Sequence, residues 1–101
     1  MFNVKWSTLA EITFADEIDF IVRKWNLVQA NEFILLVYDC LNRLANNPAL
    51  GIYNSKFNCF SVIISRQTTF YFRILESEKE LALVLFWNYK QNPNHLNNLL
   101  L

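Results

Sequence analysis

The sequence predicts one α+β domain over residues 1–101, in which an antiparallel helical hairpin packs on one face of a small antiparallel sheet. Three observations lead to this fold class. Apolar residues recur every three or four positions through the first half of the chain, which is the helical period. From residue 59 onward, β-branched and aromatic residues alternate with other types, which is typical of strands. The length of 101 residues is that of a single domain. The predicted element order is β-α-α-β-β-β, beginning with an N-terminal strand.

A short strand and an amphipathic helix are predicted at the start of the chain. Asn3 to Trp6 alternates in character, and Ser7 and Thr8 can each cap a helix, with Thr8 and Glu11 in the spacing of a capping box. The helix is expected to end near Asn26, with acidic residues early and basic residues late, as the helix dipole favours. Its predicted core-facing residues are Leu9, Ile12, Ala15, Ile18, Val22 and Trp25.

A second helix follows after a short connection and is predicted to stop at Asn46, Asn47 and Pro48. Because the connection is short, the two helices must form an antiparallel hairpin whose apolar stripes share one target surface. The stripe of the second helix consists of Ala30, Phe33, Ile34, Val37, Leu41 and Leu44.

Three strands with short connections predict an antiparallel meander after the loop that contains Gly51. The strands are Cys59 to Ile64, Thr68 to Leu75 and Leu81 to Tyr89. Residues Gln91 to Leu101 are predicted to form a polar tail, whose three terminal leucines indicate an exposed apolar patch for a partner. Strict alternation along the third strand places four residues on one face: Leu81, Leu83, Leu85 and Trp87.

Charge is balanced overall and uneven along the chain. Nine Lys and Arg oppose nine Asp and Glu, and the pI near 6.5 argues against docking on ribosomal RNA, because phosphate contacts need an excess of basic residues. All three acidic residues of the second half lie between residues 76 and 80. The basic residues of the second half that lie outside that stretch have no acidic residue near them in the sequence, and they predict a local target-binding surface. The alternative is that they are separate, solvated side chains. They are Lys56, Arg66, Arg73 and Lys90.

Sequence features that define a compartment or a catalytic centre are sparse. Cys40 and Cys59 are too few for a disulfide framework, so we expect buried thiols in a reducing compartment. With no signal peptide and no apolar run of about 20 residues, we expect a soluble, cytoplasmic protein that binds no membrane. No glycine-rich phosphate loop, Cys-x-x-Cys pair or metal-ligand spacing occurs, so we expect neither metal nor cofactor. The only histidine, His95, is expected on the surface of the tail.

Several short segments, in order along the chain, carry a family resemblance. They are Trp6-Ser7 before an acidic helix, Leu44-Ala45-Asn46-Asn47-Pro48 with Gly51 three residues on, Ser65-Arg66 leading to Phe70-Tyr71-Phe72-Arg73-Ile74, and Leu83-Val84-Leu85-Phe86-Trp87-Asn88-Tyr89-Lys90-Gln91-Asn92-Pro93. With these segments the sequence resembles the RelE/ParE superfamily of bacterial toxins, from Trp6 to about Leu96.

The resemblance implies a toxin of a type II toxin–antitoxin system, neutralised by a cognate antitoxin that wraps around it. Members similar to ParE bind DNA gyrase and need no catalytic residue, whereas members similar to RelE are metal-independent endoribonucleases that cut mRNA on the ribosome. For a nuclease, the resemblance implies Arg73, Lys90 and Tyr89 as catalytic residues, with His95 as an alternative for proton transfer. Nuclease members usually carry arginines on the first strand of the meander, and Asn58 to Ile64 contains no base.

The balanced charge and the base-free strand favour a protein target such as gyrase. The alternatives are a ribosome-dependent endoribonuclease and an inactive member that only binds its partner. The resemblance is compatible with a homodimer and with a hetero-oligomer that contains the antitoxin.

Overall fold

The computed structural model describes residues 1–101 and has the α+β architecture. It contains two elements that were not predicted, the short strand β2 and the C-terminal helix α3. Single turns of 3-10 helix lie at Pro48–Leu50 and Glu76–Glu78. In chain order the elements are β1 Asn3–Trp6, α1 Thr8–Lys24, α2 Leu27–Asn46, β2 Ile52–Asn54, β3 Cys59–Ile63, β4 Thr68–Leu75, β5 Glu80–Asn88 and α3 Pro93–Leu100.

The five strands form one sheet in the order β1-β5-β4-β3-β2. Strands β3 to β5 are the predicted antiparallel meander, and β2 extends it by pairing antiparallel with β3. Strand β1 adds to its far edge and runs parallel to β5, with Asn3 opposite Glu80 and Trp6 opposite Leu83. The sheet is therefore mixed. Parallel strands need a long crossover connection, and the chain between β1 and β5, which includes the helical hairpin, is long enough to provide one.

The helical hairpin of α1 and α2 packs on one face of the sheet and forms the larger core. The predicted stripe of α2 is confirmed, since five of its residues are buried: Ala30, Phe33, Val37, Leu41 and Leu44. The predicted stripe of α1 is partly wrong. Ile12 and Trp25 are 52% and 48% exposed, while Glu17, which periodicity placed on a polar face, is only 5% exposed.

The buried face of α1 differs from the prediction because α1 uses polar side chains to complete the edge of β5 beyond the end of β1. The hydroxyl of Ser7 donates to the carbonyl of Val84 (2.9 Å), and the hydroxyl of Thr13 accepts from the amide of Phe86 (2.9 Å). Ser7 also caps α1, because its Oγ accepts from the Ala10 amide at 2.9 Å. The N-cap is thus Ser7, and the predicted capping box that starts at Thr8 is not formed.

A β-bulge divides β5 into two halves that face opposite ways. The register shifts between Tyr71 and Phe72 of β4, whose partners are Leu85 and Leu83. The prediction of one continuous face on β5 is therefore wrong. Leu81 and Leu83 belong to the core under the helical hairpin, whereas Leu85 and Trp87 belong to a second core on the other face.

The predicted polar tail is wrong as well, because residues Pro93–Leu100 form the helix α3. Asn92 caps it by accepting from the Asn94 amide at 2.9 Å, and Pro93 occupies the first turn, where no amide hydrogen is needed. Leu96 and Leu100 are buried against the second core. Of the three terminal leucines only Leu101 is largely exposed, so they do not form the predicted apolar patch. No helix in the chain is both long enough and apolar enough to cross a membrane.

Candidate functional site

The four basic residues predicted to bind a target lie in two separate places. Arg66 lies in the β3–β4 turn and Lys90 directly after β5, at the same end of the sheet. The backbone joins these two segments, because the Tyr89 amide donates to the Gln67 carbonyl at 3.1 Å. Lys56 and Arg73 instead lie together beside Phe57, away from that end. The structure therefore brings the predicted residues together as pairs and not as one site.

Two further cations from α1 extend the surface around Lys90. Arg23 and Lys90 line the same cleft, and the amino group of Lys24 lies near that of Lys90. This proximity lowers the pKa of Lys24, because a hydrogen bond with Lys90 favours the neutral amine and the two positive charges repel. We call the group Arg23, Lys24, Arg66 and Lys90 the basic end. Sequence reasoning assigned Arg23 and Lys24 to the helix dipole and missed that they lie near Lys90.

Aromatic side chains accompany the basic end. The Lys24 ammonium lies 5.0 Å from the centre of the Trp25 ring, which is half exposed, and 5.7 Å from that of Phe20. Tyr89 is 58% exposed next to Lys90. Exposed aromatic rings beside unpaired cations are common in protein-binding surfaces, where they supply contact area at low entropic cost.

A cleft of about 540 Å³ lies between α1, the end of β5 and α3, and a buried carboxyl group forms part of its wall. The Glu17 carboxyl group accepts a hydrogen bond from the Thr68 hydroxyl. Its two oxygens also accept from the Asn88 amide nitrogen, at 3.2 Å and 3.3 Å. Burial raises the pKa of Glu17 above its ordinary value, and these two hydrogen bonds oppose that rise in part. The network ties α1 to β4 and β5 at the point where the basic end begins.

The sheet face opposite the helical hairpin is apolar and is closed by α3 and the β2–β3 turn. Phe57, Cys59, Leu85, Trp87, Leu96 and Leu100 form its core. Arg73 points its guanidinium to the Phe57 carbonyl, at 3.5 Å, and Lys56 lies 5.3 Å from the centre of the Phe57 ring. Burial raises the pKa of both the Cys59 thiol and the Tyr71 hydroxyl, so neither group is primed for chemistry.

The remaining candidate residues are the histidine and the two cysteines. His95 is exposed on α3, as predicted, and lines the 540 Å³ cleft with its ring centre 6.0 Å from that of Trp87. Cys59 is buried and Cys40 half-buried, and both are free thiols. No group of three or more His, Cys, Asp or Glu side chains is placed to hold a metal ion.

Two adjoining depressions form a groove between α2 and the outer edge of β3, one of mixed polarity and one mainly apolar. They have volumes of about 500 and 250 Å³ and share Leu36. One is bounded by Trp25, Ser65 and Arg66, and the other by Leu50 and Ile63. We call this feature the α2–β3 groove. It meets the basic end at Trp25 and Arg66, and periodicity gave no sign of it because it joins two distant segments.

Comparisons with known proteins agree with this architecture. A family model described as the ParE toxin of the type II toxin–antitoxin system parDE matches residues 4–92. Among solved structures, a chain from the chromosomal ParDE toxin–antitoxin system of P. aeruginosa superposes with a TM-score of 0.71 at 15% sequence identity. The match covers 87% of this chain and 96% of that chain, and at this identity it shows a common fold. No curated protein sequence matches the chain.

Proposed function

The chain belongs to the ParE toxin family of type II toxin–antitoxin systems, and from this premise we propose that it arrests growth by binding a protein target, with DNA gyrase as the family precedent. Its activity is held in check by a cognate antitoxin, in keeping with the two-component ParDE system to which the similar structure belongs. Both interactions take place in the cytoplasm. In this proposal the chain acts by occupying a surface of its target and not by cleaving a bond.

The apolar sheet face is the observation that carries the proposal. A nuclease related to RelE would present several Lys and Arg side chains on the sheet to hold a scissile phosphate. Here the face that the helical hairpin leaves free is a second core closed by α3. Two basic side chains of the strands lie on this face, on either side of Ala82. Arg73 is half-buried and directed at a backbone carbonyl, and Lys5 is paired with Glu80 at 3.5 Å. Stabilising a developing phosphate charge requires donors aimed at it, and this face offers little of that kind.

The spacing of the candidate catalytic residues supports the same conclusion. Arg73 is paired with Ala82, near the start of β5. Tyr89 and Lys90 follow Asn88, at the other end of that strand. Six residues at about 3.3 Å each separate the two levels by roughly 20 Å. Two side chains so far apart along a strand do not converge on one phosphate group.

The basic end is the surface we assign to the target. It combines unpaired cations with the exposed rings of Trp25 and Tyr89, and no ion pair neutralises any of its four basic residues. Exposed charges of this kind accelerate association with an acidic partner and contribute modestly one by one. We therefore expect graded effects of single substitutions here, in contrast to the all-or-none loss that follows removal of a catalytic group.

Inhibition of DNA supercoiling by purified gyrase tests this proposal directly. The chain should inhibit supercoiling, and the double variant Lys24→Glu, Lys90→Glu should need roughly tenfold more protein for the same effect, with a weaker dependence on salt. Lys56→Glu, Lys79→Glu is the matched control, because it changes net charge equally away from the basic end. Arg73→Ala should inhibit like the unaltered chain.

The same preparations should be incubated with ribosomes and mRNA, and cells should be sampled after induction with and without the adjacent gene. Growth arrest that the adjacent gene relieves, with intact transcripts, is the expected result. Codon-phased mRNA cuts that disappear in Arg73→Ala and Lys90→Ala would instead establish the endoribonuclease. Absence of arrest would identify an inactive, partner-binding member of the family.

A further inference from the structure

The cleft between α1, the end of β5 and α3 is a trough whose floor is the edge of β5. Helix α1 forms one wall and runs along β5 in the same direction, because its successive residues Ser7, Thr13 and Glu17 bond to successive residues of that strand. Helix α3 forms the other wall. The lining residues of α1 extend from Leu9 to Arg23, which at 1.5 Å per residue is about 21 Å. With a volume of about 540 Å³, the trough has the size of a small-molecule pocket.

The two ends of this cleft differ in polarity. Leu9 and Leu99 lie at one end, where both pack against the second core, and Ile12 lines the cleft one turn further along α1. Ile12 is about half exposed, so it offers apolar surface to whatever enters. Arg23 and Lys90 lie at the other end, and neither forms an ion pair. The cleft is therefore apolar at one end and positively charged at the other.

Two acidic residues lie between those ends and limit the charge of a ligand. The oxygens of Glu17 are already engaged by Thr68 and Asn88, whereas Asp16 is exposed at the rim and has no ion pair. Negative charges placed beside these residues would be repelled. A single strand of nucleic acid, with a phosphate on every nucleotide, fits this pattern poorly. A ligand with one negative charge at its end and an uncharged body fits it well.

A main-chain donor in the floor points to the same kind of ligand. The Tyr89 amide donates to the Gln67 carbonyl of the neighbouring turn, so by alternation the N–H and C=O of Asn88 point away from β4 and toward α1. The Asn88 carbonyl accepts from the Gln91 amide at 3.0 Å, but its N–H donates to no acceptor of the chain. Asn88 is only 4% exposed, and buried amides without a partner are rare. A ligand oxygen near Lys90 would supply the missing acceptor.

We infer that this cleft binds a small amphiphile, with a carboxylate head group at Arg23 and Lys90 and an apolar body against Ile12 and Leu99. Hydrogen bonds from guanidinium and ammonium groups to a carboxylate are charge-assisted and stronger than neutral ones. The body contributes in proportion to the apolar surface that leaves water. The inference goes beyond the proposed function and does not depend on it, because the isolated chain is expected to bind the ligand.

An NMR titration with dodecanoate, kept below the concentration at which it forms micelles, tests the inference on the full chain. We expect saturable binding, with the Asn88 amide resonance among those that shift most. Dodecanol has the same chain without the charge and should bind roughly tenfold more weakly. Absence of saturable dodecanoate binding would overturn the inference. Equal affinities for the two probes would overturn it as well, because the head group would then contribute nothing.

Charge variants locate the head group. The double variant Arg23→Gln, Lys90→Gln should bind dodecanoate roughly tenfold more weakly and dodecanol as before. Lys56→Gln, Lys79→Gln removes the same charge outside the cleft and should bind both probes like the unaltered chain. All four side chains are exposed, so neither variant removes a buried contact. Equal weakening in the two double variants would indicate general electrostatic attraction and overturn the inference.

A polar substitution at the other end locates the body. Ile12→Asn should weaken the binding of both probes, whereas Leu35→Asn, at an exposed apolar position of α2 outside the cleft, should leave both unchanged. In the complex with the unaltered chain, nuclear Overhauser effects should connect the dodecanoate methylenes to the methyl groups of Ile12 and Leu99. Contacts with methyl groups of α2 instead, or equal weakening by both substitutions, would place the body elsewhere and overturn the inference.

Discussion

Replacing Gly51 with alanine should destabilise the protein, although the backbone at this position accepts any residue. Gly51 has φ −77° and ψ 156°, in the extended region that alanine adopts readily. At such a position the substitution normally stabilises by about 0.4–1 kcal/mol, because it restricts the unfolded chain. The only glycine of the sequence is therefore not explained by its conformational freedom.

The expected loss follows from what the new methyl group would meet. A Cβ at position 51 would lie 2.6 Å from Cζ and 2.9 Å from Cε1 of the Phe72 ring. Carbon atoms in contact are about 3.5–4.0 Å apart, so the ring would have to move by roughly 1 Å. Phe72 is fully buried, with the rings of Phe60 and Phe70 at 5.7 and 5.8 Å, and it has no free space to enter.

Overpacking of this kind costs about 1–3 kcal/mol, so the net destabilisation should be about 1–2 kcal/mol after the gain in the unfolded state. Equilibrium unfolding in urea measures it, with an unchanged slope and a lower midpoint. In a Phe72→Leu background the same substitution should become neutral or stabilising. A Gly51→Ala variant as stable as the unaltered chain, or effects that simply add in the double variant, would refute the reasoning.

Three further predictions concern α1 and α3. Because the pKa of Glu17 is raised in the folded state, folding favours the protonated carboxyl group, and stability should fall as pH rises above about 4.5. Relative to the unaltered chain, Glu17→Gln should therefore gain stability between about pH 4 and pH 7, as measured by urea unfolding at each pH. Leu96→Ala should cost about 2–4 kcal/mol in the same assay, whereas exposed Leu101→Ala should stay within about 0.5 kcal/mol, and equal effects would argue against α3 as part of the core. Ser7→Ala should lower Tm and cost about 1–2 kcal/mol, because it removes the helix cap and the hydrogen bond to β5, whereas Thr8→Ala should be nearly neutral. A larger loss of stability for Thr8→Ala than for Ser7→Ala would indicate that Thr8 is the cap.

Much of the fold follows from local patterns in the sequence. Five of the six residues in the predicted stripe of α2 are buried, because one face of that helix packs on the sheet. The strands of the meander fall within one or two residues of their predicted bounds. The sequence of α3 also contains local helix signals, an Asn cap followed by Pro93. Its Asn-rich composition instead led to the prediction of a polar tail.

The candidate surfaces could be predicted less completely. Arg66 and Lys90 were identified from the uneven charge, and pairing between the β3–β4 turn and the end of β5 places them at one end. Arg23 and Lys24 join them only because α1 runs along β5 toward that end. The α2–β3 groove depends on a pairing that stops at Ser61, which no periodicity records.

Patterns in the sequence were enough for the order of the six predicted elements, the stripe of α2 and the family, because these depend on residues close together in the chain. Tertiary structure alone decided which faces of β5 are buried, since one bulge reverses them. It also decided that Glu17 is an interior residue and that the sheet's second face is a core instead of a phosphate site. Each of these depends on the register between distant segments, and shifting a strand by one residue turns every side chain after it to the other face.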